Sequence, residues 1–268
     1  MTAYDPKGGA PGQRRPWHGR SYDLGKMTFR ELWGAYLTYP AIRLYVALAV
    51  VCAGASAVLA AGWMRPALAA AATIVVYPFA WYLIHRFVLH GRWLYRMPWT
   101  AGLWKRSHFD HHQDPHRLEV LFGAPANTVP TIVAVTGPLG WLIGGAPAAG
   151  AAVTAGLLTT CVYEFCHCLQ HLNHNPRNRM LRRLKQRHLL HHFHDETGNY
   201  GIVSFLPDRL FHTLYENARS RPRSPHVFNL GYDISEARRF PWVMQHSGSP
   251  PRDRPPGALD RRSVLGSR

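Results

Sequence analysis

Acidic residues are scarce in this chain. Its 268 residues include 15 Asp and Glu against 31 Lys and Arg and 17 His, a formal charge of +16. That balance excludes an acidic, solvating disordered protein, and an apolar share of 47% argues against disorder along most of the length. Charge of either sign is missing from four runs: Leu44 to Trp63, Pro66 to Ile84, Asn127 to Gly145 and Ala146 to Tyr163. Each is near the ~20 residues that cross a ~30 Å hydrocarbon layer. The near-neutral mean hydropathy therefore averages two opposite compositions. Buried core helices of a soluble domain are the alternative, but four such runs in two close pairs are too many for one core. No cleavable signal peptide is expected, because the first 40 residues are polar and basic, and no solenoid-type repeat is present. Cysteine is limited to Cys52, Cys161, Cys166 and Cys168, all in membrane or cytoplasm-facing positions, so no disulfide is expected.

The basic residues are placed unevenly. They cluster before Leu44, after Ile84 and after Tyr163, whereas the turns inside the two pairs hold only Arg65 in one case and nothing in the other, Gly144 to Gly150. The positive-inside rule then puts both termini and both histidine-bearing stretches in the cytoplasm, with two helical hairpins in the membrane. The expected fold is all-α: four transmembrane helices and a cytoplasmic helical cap. Residues 1–20 read as a flexible basic arm, 21–246 as the membrane-embedded domain, and 247–268, rich in Pro and charge, as a disordered tail. Phe29, Leu32, Trp33 and Tyr36 have amphipathic helical spacing, which suits a helix on the membrane surface or one packed on its own domain. The charge alone would suggest nucleic acid. Positive-inside topology and an anionic lipid surface explain it better.

Histidine is what the chain has in excess. Thirteen of the 17 fall between His85 and His194. Four groups recur: HRFVLH (His85, His90), HFDHH (His108, His111, His112), HCLQH (His167, His171) and HLLHH (His188, His191, His192). Residues at i, i+3 and i+4 share a helical face, so HxxHH turns three imidazoles one way and HxxxH two. His85 and His90, five apart, stand roughly 140° apart around an α-helix. They would flank two metals, unless the helix is distorted near its end. Ten imidazoles exceed one metal's capacity, which makes two metals the natural count. A lone histidine on an apolar helix is usually a satisfied core residue; ten at such spacings are not. His116, His174 and His194 fall outside the pattern and read as surface or supporting residues. Cys166 and Cys168 lie on other faces than His167 and His171 and read as packing residues.

The four motifs, in this order and with a hydrophobic hairpin between the second and third, resemble the fatty acid hydroxylase and sterol desaturase superfamily of membrane di-iron oxygenases. The resemblance covers roughly His85 to Tyr215. HRFVLH, RLEVLFGAP and HLLHHFHDETGNYGIVSFLPDRLF look closest to the fatty acid (sphingolipid) 2-hydroxylase branch. Here Leu172 follows His171 where that branch usually has a second His, and no fused cytochrome b5 domain is recognisable. The resemblance implies two iron ions on the ten histidines, with zinc as a possible replacement. It also implies O₂ as co-substrate, a membrane lipid as substrate, and a separate electron donor of cytochrome b5 or ferredoxin type with its reductase. It implies hydroxylation of an acyl chain near its carboxyl end. A sterol- or carotenoid-type hydroxylase or desaturase is the alternative within the superfamily. Asp110, Asp195 and Glu164 are candidates to orient the imidazoles. Tyr200, Asp208 and Phe211 match the family's stretch after the last motif, where a structural role stands equal to lining or capping the site. A metal transporter would place ligands at mid-membrane, and a bis-histidine haem protein would not use HxxHH. A zinc site without redox function is the remaining non-oxygenase reading.

Overall fold

A capping box opens the first helix of the computed structural model, which describes residues 22–254. Thr28 Oγ1 accepts from Glu31 N, and Glu31 Oε2 accepts from Thr28 N at 2.8 Å, so two otherwise orphaned donors are satisfied. Helix α1 (Phe29–Thr38) ends at Tyr39, held extended by the following Pro40, which starts α2 (Pro40–Leu59). Leu32 and Tyr36 are buried in the core, while Phe29 and Trp33 stay half exposed, each with its ring edge-on to Phe165. The helix therefore packs on its own domain and keeps an outward aromatic edge.

After a short turn, α3 (Met64–Leu83) follows. It continues as a π-helical turn, Ile84–Leu89. A group of short helices follows: α4 (Pro98–Trp104), a second π turn (Lys105–Phe109), α5 (Asp110–Gln113) and α6 (Leu118–Leu121). Helix α7 (Pro125–His171) is 47 residues long and non-helical at Gly144 and Gly145. Its two arms fold back on each other there, Gly140 lying beside Ala148 and Ala152, and Gly156 beside Ile132 and Thr136. A Cβ on Gly140 would stand 2.5 Å from Ala148 O, so the close approach requires glycine. Gly145 turns the chain with φ +69°, a conformation only glycine adopts freely. The sequence pattern put this turn across residues 144–150; two glycines suffice. Helix α8 (Arg179–Phe193), α9 (Leu206–Leu210), α10 (Ile234–Arg239) and α11 (Trp242–Ser247) complete the fold, and no β-strand forms among the described residues.

Three helices are long and apolar enough to cross a membrane, the last being the folded segment that contains α7. Only 22%, 22% and 33% of their apolar windows are buried, so most of this apolar surface is not covered by the rest of the chain. Val58 and Leu142 are each 86% exposed on this surface. The short helices gather at one end of the spans around a second core of Tyr95, Trp104, Phe109 and Tyr232. All four cysteines are free thiols, and Cys168 packs in the main core. The arm assigned to residues 1–20 and the tail beyond 254 lie outside the described residues. Within the tail as expected from residue 247, the described part is held down: Arg252 N donates to Gln113 Oε1 at 2.9 Å and Gln113 Nε2 to Arg252 O at 3.0 Å.

Candidate metal centre

The ten motif histidines come from the π turn after α3, from the second π turn with α5, from the end of α7 and from α8. They converge in two groups of five. His85, His90, His108, His112 and His191 form one; His111, His167, His171, His188 and His192 form the other, with the ligand atoms of each group within 4.8 Å of one another. Nine are buried and His90 nearly so. The distortion considered for HRFVLH is real: His90 N donates to His85 O at 3.0 Å, an i to i+5 bond. The wider turn closes the 140° gap, so both rings join one group, their centroids 4.9 Å apart. The HxxHH motifs behave differently from the one-face expectation. His108 and His112 join the first group and His111 the second; His188 and His192 join the second and His191 the first.

The donor geometry fits metal ions. Nδ1–H of His85 donates to Tyr200 O at 2.7 Å, His112 Nδ1–H to Val227 O at 2.8 Å and His191 Nδ1–H to Gly198 O at 2.7 Å. A carbonyl only accepts, so each ring keeps a lone pair on Nε2. Yet His108 Nε2 lies 2.9 Å from His85 Nε2 and 3.1 Å from the Nε2 of both His90 and His112. One proton cannot satisfy three converging lone pairs. Two imidazole nitrogens at right angles around a cation bound at about 2.1 Å would stand about 3 Å apart, so a cation resolves the crowding. In the second group His188 Nε2 lies 3.0 Å from His167 Nε2 and 2.8 Å from His171 Nε2. His111 and His192 there keep both ring nitrogens buried without a hydrogen-bond partner. Burial pushes His112 and His191 down to about 3 from an ordinary 6.5, so they present neutral, metal-binding rings.

The orienting acceptors of the first group are backbone carbonyls, where the sequence suggested carboxylates. Asp110 is held by Lys105 Nζ at 2.7 Å, because the π turn sets residues five apart side by side. Asp195 accepts from Thr197 and from Arg221 at 2.9 Å; burial pushes its carboxyl up, but these bonds outweigh that and hold it low. Glu164 is buried in α7, one turn before His167. Asp208 grips the carbonyl-bearing loop, accepting from Tyr200 N at 2.9 Å, Gly201 N at 2.8 Å and Thr213 Oγ1 at 2.7 Å. Asn199, in the left-handed region at φ 57°, ties the same loop to Tyr215. The Tyr200 ring meets those of His85, His90 and His191 at steep angles, with centroids 5.4, 5.1 and 5.4 Å away. Phe211 stacks on Tyr82 at 5.1 Å, away from both groups. His116, His174 and His194 stay outside: the first bonds His171 O, the second tilts against Phe29 and the third bonds Arg221 O. Asn199 and the three carbonyls were not singled out from sequence. The Gly–Asn pair at 198–199 marks the turn that carries two of the carbonyls, and nothing in the sequence marked Val227.

The chain thus has helices long and apolar enough to cross a membrane, with ten converging imidazoles at one end that could hold metal ions. Residues 70–213 match the family model described as fatty acid hydroxylase. The chain belongs to that family, a family of enzymes. It is 29% identical over 200 residues to dihydroceramide fatty acyl 2-hydroxylase FAH2 of Arabidopsis thaliana, covering 72% of this chain and 77% of that one. It is 29% identical over 146 residues to human fatty acid 2-hydroxylase, covering 54% of this chain but 37% of that protein. Beta-carotene hydroxylase of Paracoccus sp. (strain PC1) is 28% identical over 165 residues, 60% of this chain and 97% of that one. The solved structure of full-length Scs7p, with only the hydroxylase domain visible, shares the fold at TM-score 0.53 and 23% identity, covering 75% of this chain and 71% of that one.

Proposed function

We propose that this chain is an O₂-dependent di-iron hydroxylase that converts an unactivated C–H of a membrane-lipid acyl chain, near its carboxyl end, to C–OH. The observation that carries the reading is the convergence of ten neutral imidazoles, without a carboxylate among them, at one end of lipid-exposed helices. Iron would supply, when bound, the O₂ activation that such a bond demands; zinc could fill the same sites without redox function. The balance is C–H plus O₂, two electrons and two protons, giving C–OH and water. The electrons come from a separate carrier of cytochrome b5 or ferredoxin type. The chain's own part is to hold Nδ1–H of His85, His112 and His191 on carbonyls, to cover the first group with Tyr200, and to keep water from the apolar side. Four spans, with the two arms of α7 as the last pair, both termini and the metal centre on the cytoplasmic side, and contact with anionic headgroups fit the distribution of basic residues. The names of the fatty acyl 2-hydroxylase relatives support the substrate class.

A carotenoid ring hydroxylase is the second reading, favoured by the relative of which this chain covers 97%. Lipid mass spectrometry of cells with and without the gene separates the two. The first reading expects 2-hydroxy acyl lipids to vanish with the gene. Unchanged 2-hydroxy acyl content with altered carotenoids or sterols would overturn it. Metal analysis of anaerobically purified protein should find about two ions per chain, with iron in the active form.

A further inference from the structure

An open cavity of about 260 Å³ lies where the chain leaves α7 and enters α8. Asn173, His174 and Asn175 line it from the connecting loop, and Arg182, Lys185 and Gln186 from α8. The last three recur at i, i+3 and i+4, so one face of α8 turns a guanidinium, an ammonium and an amide into the same space. The loop is tied down. Asn173 N donates to Leu24 O at 3.0 Å, and Lys185 Nζ donates to His174 O at 2.9 Å and to Leu172 O. Two carbonyls leave the ammonium a third N–H and do not neutralise its charge. Counter-charge is missing altogether. No Asp or Glu occurs between Glu164 and Asp195. The ion pairs among the described residues include neither Arg182 nor Lys185. Arg177, Arg179 and Arg183, all exposed, add to the same positive field. The cavity also borders an apolar edge, since the His174 ring lies 6.0 Å from that of Phe29. Phe29, Trp33 and Leu37 follow at i, i+4 and i+8 as one stripe of α1, each about half exposed.

We propose that this cavity holds the headgroup phosphate of one anionic phospholipid, whose apolar part lies against the Phe29, Trp33 and Leu37 stripe. Such a lipid is a fixed neighbour of the cap, and no part of it has to reach the histidines. The site presupposes the membrane reading of the apolar helices and none of the hydroxylation chemistry. A phosphate diester carries a negative charge and two free oxygens. One oxygen suits the Arg182 fork and the other the remaining Lys185 N–H. A water's share of liquid is about 30 Å³, so the cavity has room for the phosphate and several waters. Cations beside half-exposed aromatic rings match the boundary between headgroups and acyl chains, where aromatic side chains settle. An acidic protein surface would use the charge but leave the stripe uncovered.

The test titrates full-length protein in neutral detergent micelles with phosphatidylglycerol or phosphatidylcholine and counts bound lipid by native mass spectrometry. A single phosphatidylglycerol should bind at least about fivefold more tightly than phosphatidylcholine. Arg182→Gln should lower that affinity about fivefold, the effect of one basic side chain near an anionic headgroup, and Arg182→Lys should keep most of it. Arg179→Gln, exposed and outside the cavity, should change it less than about twofold at physiological ionic strength. Leu37→Ser should weaken phosphatidylglycerol and leave inorganic phosphate unaffected. Equal binding of the two lipids, or phosphatidylglycerol binding that survives Arg182→Gln, would overturn the site. Displacement of the lipid by equimolar inorganic phosphate, with Leu37→Ser silent, would assign the cavity to a free anion and overturn the lipid. If Arg182→Gln weakened binding of an acidic ferredoxin but not of phosphatidylglycerol, the face would belong to a protein and the lipid claim would fail. Vesicle flotation separates the site from the membrane reading. Protein that stays out of vesicles sinks both, whereas protein that floats with them and shows no lipid preference sinks the site alone.

Discussion

Asp208 acts on the metal centre through the backbone. Its two oxygens hold Tyr200 N and Gly201 N, and Tyr200 O in turn holds His85 Nδ1–H. Asp208→Asn keeps one acceptor and turns an NH₂ toward a backbone N–H, so the loop loosens and His85 loses its fixed tautomer. The expected result is about a 10–100-fold weaker affinity in the group that contains His85, with the other group unaffected. Titrating metal-free protein with Co(II) and following the two binding phases separately checks this. Spacing in the sequence identified the ten histidines that converge, because i, i+3 and i+4 repeats of one residue type are plain to read. The groups that orient them were not legible. A carbonyl belongs to every residue, and only the folded chain brings those of Gly198, Tyr200 and Val227 to face the rings. Asp110 and Asp195 drew attention by nearness along the chain, yet their partners are Lys105 and Arg221.

The π turn at Ile84–Leu89 makes an asymmetric prediction at the scale of the element. Deleting Phe87, half exposed and outside the centre, leaves His–x₃–His, which an ordinary α turn can present on one face. That variant should still hold two metals per chain. Inserting Ala between Phe87 and Val88 widens the spacing to six and should swing His90 away, so the count falls toward one. Metal analysis of both variants decides it. The turn of α7 gives another. Gly145 sits at φ +69° and ψ −155° with open space around it, so Gly145→Ala should cost only the backbone strain of a region essentially confined to glycine, about 1–3 kcal/mol, read from a denaturation midpoint in detergent. The charge-free runs made α2, α3 and the two arms of α7 legible in the sequence. Where α7 bends was less so, because Gly144, Gly145 and Pro147 all suit a turn; close packing against Arg65 and Ala148 requires glycine at 144, and the positive φ favours it at 145.

For the molecule as a whole, the distribution of basic residues predicts an orientation. Reporter fusions near Arg65 and Gly145 should report the outside, and a fusion at the C-terminus the cytoplasm. A C-terminus found outside would set the histidines apart from a cytoplasmic electron donor. The whole-chain architecture also constrains how the centre can evolve. His111 and His112 are consecutive residues assigned to different groups, and so are His191 and His192. The gap between the two groups is therefore gauged twice by a single peptide unit, about 3.8 Å from one Cα to the next, on two separate helices. The stacked rings of His112 and His192, 4.1 Å between centroids, brace the two gauges against each other. Substitutions in the membrane helices can reshape what lies beside the centre, but none of them can stretch a peptide bond. The spacing between the two histidine groups is thus insulated from substitutions in the apolar helices.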